Sequence, residues 1–248
     1  TPDADTVRMT PAQIAAQNAR LYARDPSMHA LAALPARWRR KQVLGWIGKL
    51  SSPPSRTLYF ADGSRVPPEW LAARSDALAL DAVPKKQRAR FGLVVRRASL
   101  RTFPDATRVF GDTQDHDIDR FQESALFIGT PVAIVHASRD GRWLFVLAPN
   151  YAAWIEADAV AEGTREEVLG YAAIEPSRVV TGATVETVFT PEEPRVSALR
   201  LEMGQRLPLA PLLADGVANG QNAYTSWPLW LPVREAEGRL GFAPALLP

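Results

Sequence analysis

The chain has 248 residues, of which 46% are apolar and 23% charged, a composition typical of a globular protein with one large or several small domains. It contains no cysteine, which excludes disulfides, thiolate zinc sites and a cysteine nucleophile within these residues. No apolar run approaches the roughly 20 residues of a transmembrane helix, so we expect no transmembrane segment.

The charge is unevenly distributed, although its net value is only +2. Residues 1–101 contain 18 Lys and Arg against 7 Asp and Glu, whereas residues 102–248 contain 11 against 20. One interpretation is that a basic part docks against an acidic part. The other is a surface that faces a polyanion, such as envelope glycan or lipid headgroups. We expect no nucleic acid partner, because no nucleic-acid-reading motif surrounds the basic runs RWRRK and KKQRAR.

The first 90 residues have the pattern of helices separated by prolines. Thr10 and Gln13 are spaced as a capping box with Pro11 at the first helical position, and Asp25-Pro26 should end this helix. The spacing of Val43, Trp46, Ile47 and Leu50 indicates a second, amphipathic helix. Asp62-Gly63 indicates a turn, and the run PPEWLAA indicates a further short helix.

From about Phe91 the pattern changes to short strands separated by turn residues. Asp140-Gly141 is the strongest hairpin signal, because glycine readily adopts the positive φ that such a turn needs. The predicted fold is therefore mainly β with a helical N-terminal segment, and the strands form two small SH3-like β-barrels. We place the domains at residues 1–90, 91–165 and 166–248.

The residues alone indicate no catalytic, metal or cofactor site. There is no G-x-S-x-G elbow, P-loop or dinucleotide-binding motif. The acidic run DTQDHDIDR imitates a calcium loop, but Arg120 and Leu126 occupy the positions that need Gly and Glu, so we interpret it as a solvated loop. His136 and Ser138 share a strand face, which leaves open an enzyme of unrecognised type that uses both with an acidic partner.

Several short motifs occur in one order between residues 56 and 154: RTLYFADGSRVPPEW, RRASLRTFP, FQES, Gly129-Thr130-Pro131, Ser138-x-Asp140-Gly141-x-Trp143, and Tyr151 before Trp154. In this combination the chain resembles the non-catalytic N-terminal part of multi-domain NlpC-type cell-wall endopeptidases. That resemblance implies a helical stabilising segment, two bacterial SH3-like domains, and a papain-like catalytic domain that is absent from this sequence. Ala153 departs from the pattern, since such barrels often have Gly before the Trp.

The resemblance implies a specificity and targeting portion of a peptidoglycan stem-peptide endopeptidase of the γ-D-glutamyl-diamino acid type. Its partners would be the catalytic domain and a stem peptide with a free N-terminal L-Ala, whose ammonium needs carboxylate or carbonyl acceptors. Asp119, Gln122 and Tyr151 are the candidate substrate-binding residues. The alternative is a stand-alone envelope module that recognises peptidoglycan or a partner protein.

The beginning of the chain, TPDADTVRMT, has neither an initiator Met nor a signal sequence. It has the pattern of a mature or trimmed terminus, whose signal has been removed or never existed. The resemblance implies a secreted protein whose signal has been removed, located in the cell envelope or periplasm. The resemblance further implies a role in the recycling of murein peptides.

Overall fold

The computed structural model describes residues 6–211 and 216–248. Its α-helices are α1 (Pro11–Arg24), α2 (Arg40–Leu50), α3 (Pro68–Ala77) and α4 (Arg165–Gly170). Its strands are β1 (Arg37–Arg39), β2 (Lys86–Arg88), β3 (Arg90–Val94), β4 (Ala98–Arg101), β5 (Gln122–Leu126), β6 (Pro131–Ala137), β7 (Trp143–Ala148), β8 (Tyr151–Glu156), β9 (Val160–Gly163), β10 (Ser177–Val179), β11 (Thr184–Glu186), β12 (Arg200–Glu202), β13 (Arg206–Pro208), β14 (Val217–Ala218), β15 (Gln221–Asn222), β16 (Trp227–Arg234) and β17 (Leu240–Leu247). The predicted mainly β class with a helical N-terminal segment is confirmed.

The first helix begins and ends where the sequence predicts. The Thr10 hydroxyl accepts from the Gln13 amide at 3.3 Å, and the Gln13 side chain accepts from the Thr10 amide at 2.8 Å. This reciprocal pair satisfies two of the amides that a helix start leaves without partners. The helix ends at Arg24, just before Asp25-Pro26. All 14 of its residues are exposed.

The second and third helices also follow the predicted pattern. Val43 and Ile47 of α2 are fully buried. The third helix, α3, begins at Pro68 of the run PPEWLAA. Gly63 closes the turn before it, with φ at +81° and its amide donating to the Phe60 carbonyl at 3.0 Å. A residue with a side chain would be strained at this φ.

Residues 90–163 contain a seven-stranded antiparallel sheet with the strand order β5-β4-β8-β7-β6-β3-β9. The hairpin predicted at Asp140-Gly141 joins β6 to β7 and is confirmed. Gly141 has φ at +71°, and the Ser138 amide donates to the Trp143 carbonyl at 2.9 Å to close the turn.

Both faces of this sheet are covered. One face packs with α2 and α3 in a single cluster, which contains Ile47 and Trp154. The other face forms a second cluster, which contains Val146 and Ile155. Consecutive residues of a strand point to opposite faces, so neighbours such as Trp154 and Ile155 enter different clusters.

A buried hydroxyl connects the end of α2 to the sheet. Ser51, at 6% exposure, donates to the Thr102 carbonyl at 2.7 Å and accepts from the Trp154 indole nitrogen at 3.0 Å. Trp154 is fully buried, so its N–H needs an acceptor inside the protein. Ser51 therefore satisfies two buried polar groups and holds the helical segment against the sheet.

The described residues between 177 and 247 form four two-stranded antiparallel sheets. β16 and β17 pair with each other over all eight residues, but Pro228, Pro232 and Pro244 have no amide to donate to a further strand. Single backbone contacts connect the pairs, such as the Leu209–Leu229 bridge. These strands enclose a common apolar cluster.

Tyr171 joins this second β region to the first. Its hydroxyl donates to the Trp230 carbonyl at 2.7 Å, and its ring stacks on Phe242 with centroids 5.6 Å apart. A Cβ on Gly129 would lie 2.8 Å from the Tyr171 ring, which explains the glycine of the Gly129-Thr130-Pro131 motif. The domain boundaries themselves stay a prediction.

We expect Ser51→Ala to lower the free energy of unfolding by about 1–3 kcal/mol, because it leaves the buried Trp154 N–H without an acceptor. Ser52→Ala is the matched control, since the Ser52 hydroxyl donates to the Gly48 carbonyl in an exposed position. The control should stay within about 0.5 kcal/mol of the parent. Urea unfolding of both variants measures the difference, and equal midpoints would contradict this role of Ser51.

Candidate ligand-binding site

The three predicted site residues lie in two clefts. Asp119 and Gln122 line a cleft of about 440 Å³ together with Arg101 and Trp143. Tyr151 lines another cleft, of about 410 Å³. The structure therefore brings Asp119 and Gln122 together and places Tyr151 apart from them.

Tyr151 forms a close pair with Glu123, a residue that the sequence analysis did not select. The Tyr151 hydroxyl donates to Glu123 Oε2 at 2.5 Å, and the Thr102 hydroxyl donates to Glu123 Oε1 at 2.5 Å. Each carboxylate oxygen thus has one protein donor and can accept from a further one. Glu123 is only partly buried, and it lies behind Tyr151, which lines the cleft.

The cleft beside this pair has one apolar and one charged part. Its lining residues are Pro26, Ser27, His29, Trp46, Lys49, Leu50, Tyr151 and Ala152. Trp46 and Leu50 belong to α2 and the segment around His29 follows α1, so the helical segment supplies one wall and β8 the other. The His29 amide donates to the Pro149 carbonyl at 2.8 Å and fixes that segment against the sheet.

Two groups at this cleft have shifted pKa values. Burial raises the pKa of Tyr151 to about 12, and the hydrogen bond to Glu123 and its charge act in the same direction. The Tyr151 hydroxyl is consequently protonated at neutral pH and remains a donor. Burial lowers the pKa of His29, and the nearby Lys49 charge adds to this effect. The His29 imidazole is therefore uncharged at neutral pH.

Strand alternation explains why Gln122 and Glu123 have different partners. They are consecutive in β5, so their side chains point to opposite faces. Gln122 lies near Arg101, with Oε1 3.5 Å from Nη1, whereas Glu123 faces Thr102 and Tyr151. Glu123 reaches Tyr151 across β4, which lies between β5 and β8. The FQES run contained a signal, since Glu123 is its carboxylate, but the strand order that pairs it with Tyr151 is not visible in the sequence.

Asp119 belongs to a buried ion pair with Arg101, and their side chains are 7% and 3% exposed. Asp119 Oδ1 also accepts from the amides of Val109 and Phe121 at 3.2 and 3.0 Å. Arg101 donates in addition to the Thr107 carbonyl at 2.6 Å. These contacts hold the long connection between β4 and β5 in place. A role of Asp119 and Gln122 in ligand binding stays a prediction.

Ser138 and His136, which the sequence left open as residues of an unrecognised enzyme, have structural hydrogen-bond partners. The Ser138 hydroxyl donates to Asp140 at 2.6 Å and accepts from the Trp143 amide at 3.0 Å, so it closes the hairpin. His136 Nε2 lies 3.1 Å from the carbonyls of both Leu78 and Ala79, and burial lowers its pKa. These contacts occupy Ser138 and His136 separately, and they do not couple the two as nucleophile and base.

The acidic run 112–119 is a loop, as interpreted from the sequence, with Asp119 as its buried member. Asp112 and Asp115 accept from the amides two residues further on, at 2.8 and 3.1 Å. Across residues 6–211 and 216–248, no three His, Asp or Glu side chains are grouped as a metal site requires. In the same ranges no helix is both long enough and apolar enough to cross a membrane.

Residues 108–156, which include Asp119, Glu123 and Tyr151, match the SH3 domain family of the SH3b1 type. The chain thus contains a domain of this class, and the prediction of an SH3-like domain here is confirmed. No curated protein matches the chain by sequence.

A solved NlpC/P60 endopeptidase shares this fold. An NlpC/P60 endopeptidase from Photobacterium damselae subsp. piscicida is 18% identical with a TM-score of 0.65, over 83% of this chain and 42% of that one. An NlpC/P60 family protein from Bacillus cereus ATCC 10987 is also 18% identical, with a TM-score of 0.42 over 63% of this chain and 53% of that one. The resemblance to NlpC-type proteins is therefore confirmed for the fold, and the chain spans less than half of the first protein.

We expect Asp119→Ala to destabilise the protein by about 3–5 kcal/mol, because it leaves the charge of Arg101 buried without its partner. Asp117→Ala is the control in the same cleft, since Asp117 is exposed and should change stability by less than about 0.5 kcal/mol. Chemical unfolding of both variants provides the measurement. A loss of less than about 1 kcal/mol for Asp119→Ala would show that the loop does not depend on this pair.

Tyr151 should ionise near its raised pKa of about 12. In Glu123→Gln we expect a lower pKa, because the carboxylate charge and its hydrogen bond are lost, but one above the ordinary value near 10 because burial remains. Ultraviolet absorbance at alkaline pH, with Tyr151→Phe as the subtracted reference, isolates this one phenol. An unchanged pKa in Glu123→Gln would contradict the Tyr151–Glu123 pair.

Proposed function

We propose that this chain is the non-catalytic specificity and targeting portion of a peptidoglycan stem-peptide endopeptidase of the γ-D-glutamyl-diamino acid type. The SH3b1-type domain and the fold shared with NlpC/P60 proteins support this assignment. These 248 residues include no Cys, so the thiolate and its His partner would come from a papain-like domain outside them. We place the protein at the cell wall, in the envelope or periplasm.

We further propose that the chain works in three parts. Residues 1–90 stabilise the assembly and supply one wall of the cleft. Residues 91–165 form the first SH3-like domain, which carries the ligand contacts. Residues 166–248 form the second SH3-like domain.

The observation that carries this proposal is the Tyr151–Glu123 pair on the edge of a cleft. A free N-terminal ammonium is a cation with three donors, and it needs oxygen acceptors with spare capacity. Glu123 supplies a carboxylate that Tyr151 and Thr102 hold in place from two sides. An ammonium–carboxylate contact of this kind is stronger than a neutral hydrogen bond, so it selects peptides with a free amine.

The remainder of the cleft suits the rest of a short acidic peptide. Trp46, Leu50 and Ala152 present an apolar surface to the L-Ala methyl group. Lys49 offers a cation to the free α-carboxylate of a γ-linked D-Glu. We also propose a substrate contact at Gln122 and Asp119, which line the separate cleft on the other face of β5.

The proposal is tested with the tripeptide L-Ala-γ-D-Glu-diaminopimelate and its N-acetylated form. We expect the free-amine peptide to perturb the NMR signals of residues around Glu123 and Tyr151. N-acetylation should weaken the apparent affinity at least about tenfold, because one charged hydrogen bond contributes about 1.5–3 kcal/mol. Glu123→Gln should cause a similar loss.

Glu166→Gln is the matched control, since it removes an exposed carboxylate outside both clefts and should leave peptide binding unchanged. Equal binding of the two peptides, or an unaffected Glu123→Gln variant, would overturn the amine-recognition proposal. Retention on purified sacculi without any peptide binding would favour the stand-alone envelope module.

A further inference from the structure

The two basic runs of the sequence meet in one antiparallel strand pair. β1 pairs with β2 so that Arg37 lies opposite Arg88, and Arg39 lies opposite Lys86. All four residues are exposed. We call Arg37, Arg39, Lys86 and Arg88 the cationic quartet.

The buried face of the same strand pair fixes the quartet on the outside. Between the two cationic pairs, Trp38 lies opposite Gln87. Trp38 is fully buried in the core, and Gln87 donates to the Val135 carbonyl. Because alternate residues of a strand point to opposite faces, the positions of Trp38 and Gln87 force all four cations onto the solvent face.

Other arginines of the basic part pair with the acidic part of the chain, which supports the docking interpretation of the charge asymmetry. These pairs are Arg74–Asp105, Arg90–Glu162, Arg96–Glu156, Arg97–Glu202 and Arg101–Asp119. Within residues 6–211 and 216–248, by contrast, no member of the quartet has an acidic side chain within ion-pair distance. The charges of the quartet therefore remain unpaired, whereas the other arginines named above are paired with acidic side chains.

This arrangement costs stability in the free protein. Like charges directly opposite each other on two strands repel, with their Cβ atoms about 5 Å apart. No acidic residue occurs at all in residues 26–61 or 82–104, which contain both strands. An external anion would relieve the repulsion, so the strand pair is a preformed site for negative charge.

The surroundings of the quartet select the kind of anion. No large hydrophobic side chain is exposed in residues 26–117, all of which the structure describes, so this face lacks groups that insert into a bilayer. Trp38 is buried and cannot stack on a nucleic acid base. The cations spread over an open face, about 5 Å apart across the pair and about 7 Å along each strand, which suits repeated, solvated negative groups.

We propose that the outward face of the β1–β2 pair is an electrostatic docking site for peptidoglycan, through the repeated carboxylates of its stem peptides. This proposal rests on the proposed function for its choice of polymer. The site holds the chain on the intact wall, separately from the cleft at Tyr151 and Glu123. In intact peptidoglycan the L-Ala amine is acylated by muramic acid, so that cleft has no ammonium to bind there.

The test is co-sedimentation of the full chain with purified sacculi. We expect binding in low salt that is lost near 1 M salt, where the screening length falls to about 3 Å. The variant that combines Arg37→Gln, Arg39→Gln, Lys86→Gln and Arg88→Gln should weaken binding at least about tenfold, because it removes all four cations that face the polymer. Sacculi whose carboxylates have been converted to neutral amides should no longer retain the parent chain.

The matched control removes four exposed cations elsewhere: Arg20→Gln, Arg56→Gln, Arg65→Gln and Arg239→Gln. It has the same net charge as the quartet variant and should keep its binding within about twofold. The quartet variant should unfold at the same temperature as the parent or higher, because the substitutions remove like-charge repulsion. Thermal unfolding therefore separates lost binding from lost folding.

Equal weakening by the quartet and control variants would overturn the proposal, since net charge alone would then explain retention. Binding to duplex DNA or to vesicles of anionic phospholipid that exceeds binding to sacculi would also overturn it, because the anion would be a phosphate of another source. Glu123→Gln should leave binding to intact sacculi unchanged. Failure at the quartet is thus distinguishable from failure of the proposed amine-binding cleft.

Discussion

The buried hydroxyl of Ser51 connects three parts of the molecule. It accepts from the Trp154 indole in the middle of the sheet and donates to the Thr102 carbonyl at the end of β4. Thr102 in turn donates its own hydroxyl to Glu123, which also accepts from Tyr151. One hydrogen-bond network therefore runs from the helical segment through the sheet to the candidate site. The position of Glu123 depends on the docking of α2.

The helical segment is thereby part of the site and not an appendage to an SH3-type domain. The sheet supplies Tyr151 and Glu123, but α2 supplies Trp46 and Lys49, and only their combination makes a cleft. The same segment carries the cationic strand pair, which the buried Trp38 anchors in the core. The cleft at Tyr151 would thus recognise a released peptide, and the cationic strand pair would hold the chain on the intact peptidoglycan. These are two separate surfaces of one folded unit.

Much of the fold followed from the sequence, because local physics decides it. The Thr10–Gln13 capping box and the Asp140-Gly141 hairpin depend on neighbouring residues alone, and both form as predicted. The site depends on strand order: β4 separates the strands of Glu123 and Tyr151, a nonlocal arrangement that periodicity does not reveal. The same limit applies to Asp119, whose acidic neighbours suggested a solvated loop. Its partner, Arg101, lies on β4, and the sequence does not reveal this contact. The prolines of β16 and β17 show the converse, since they are visible in the sequence and leave these strands with fewer amides to donate to a third strand.

The contact between Ser51 and Trp154 closes a loop of 103 residues. Contacts of such wide sequence separation slow folding, and proteins dominated by them fold in milliseconds to seconds. The helices can form earlier from local interactions, but the cleft needs both α2 and β8 in their final positions. A refolding chain should therefore gain helical signal before it gains any affinity for a peptide amine, and the rate of site formation is set by the closure of the chain.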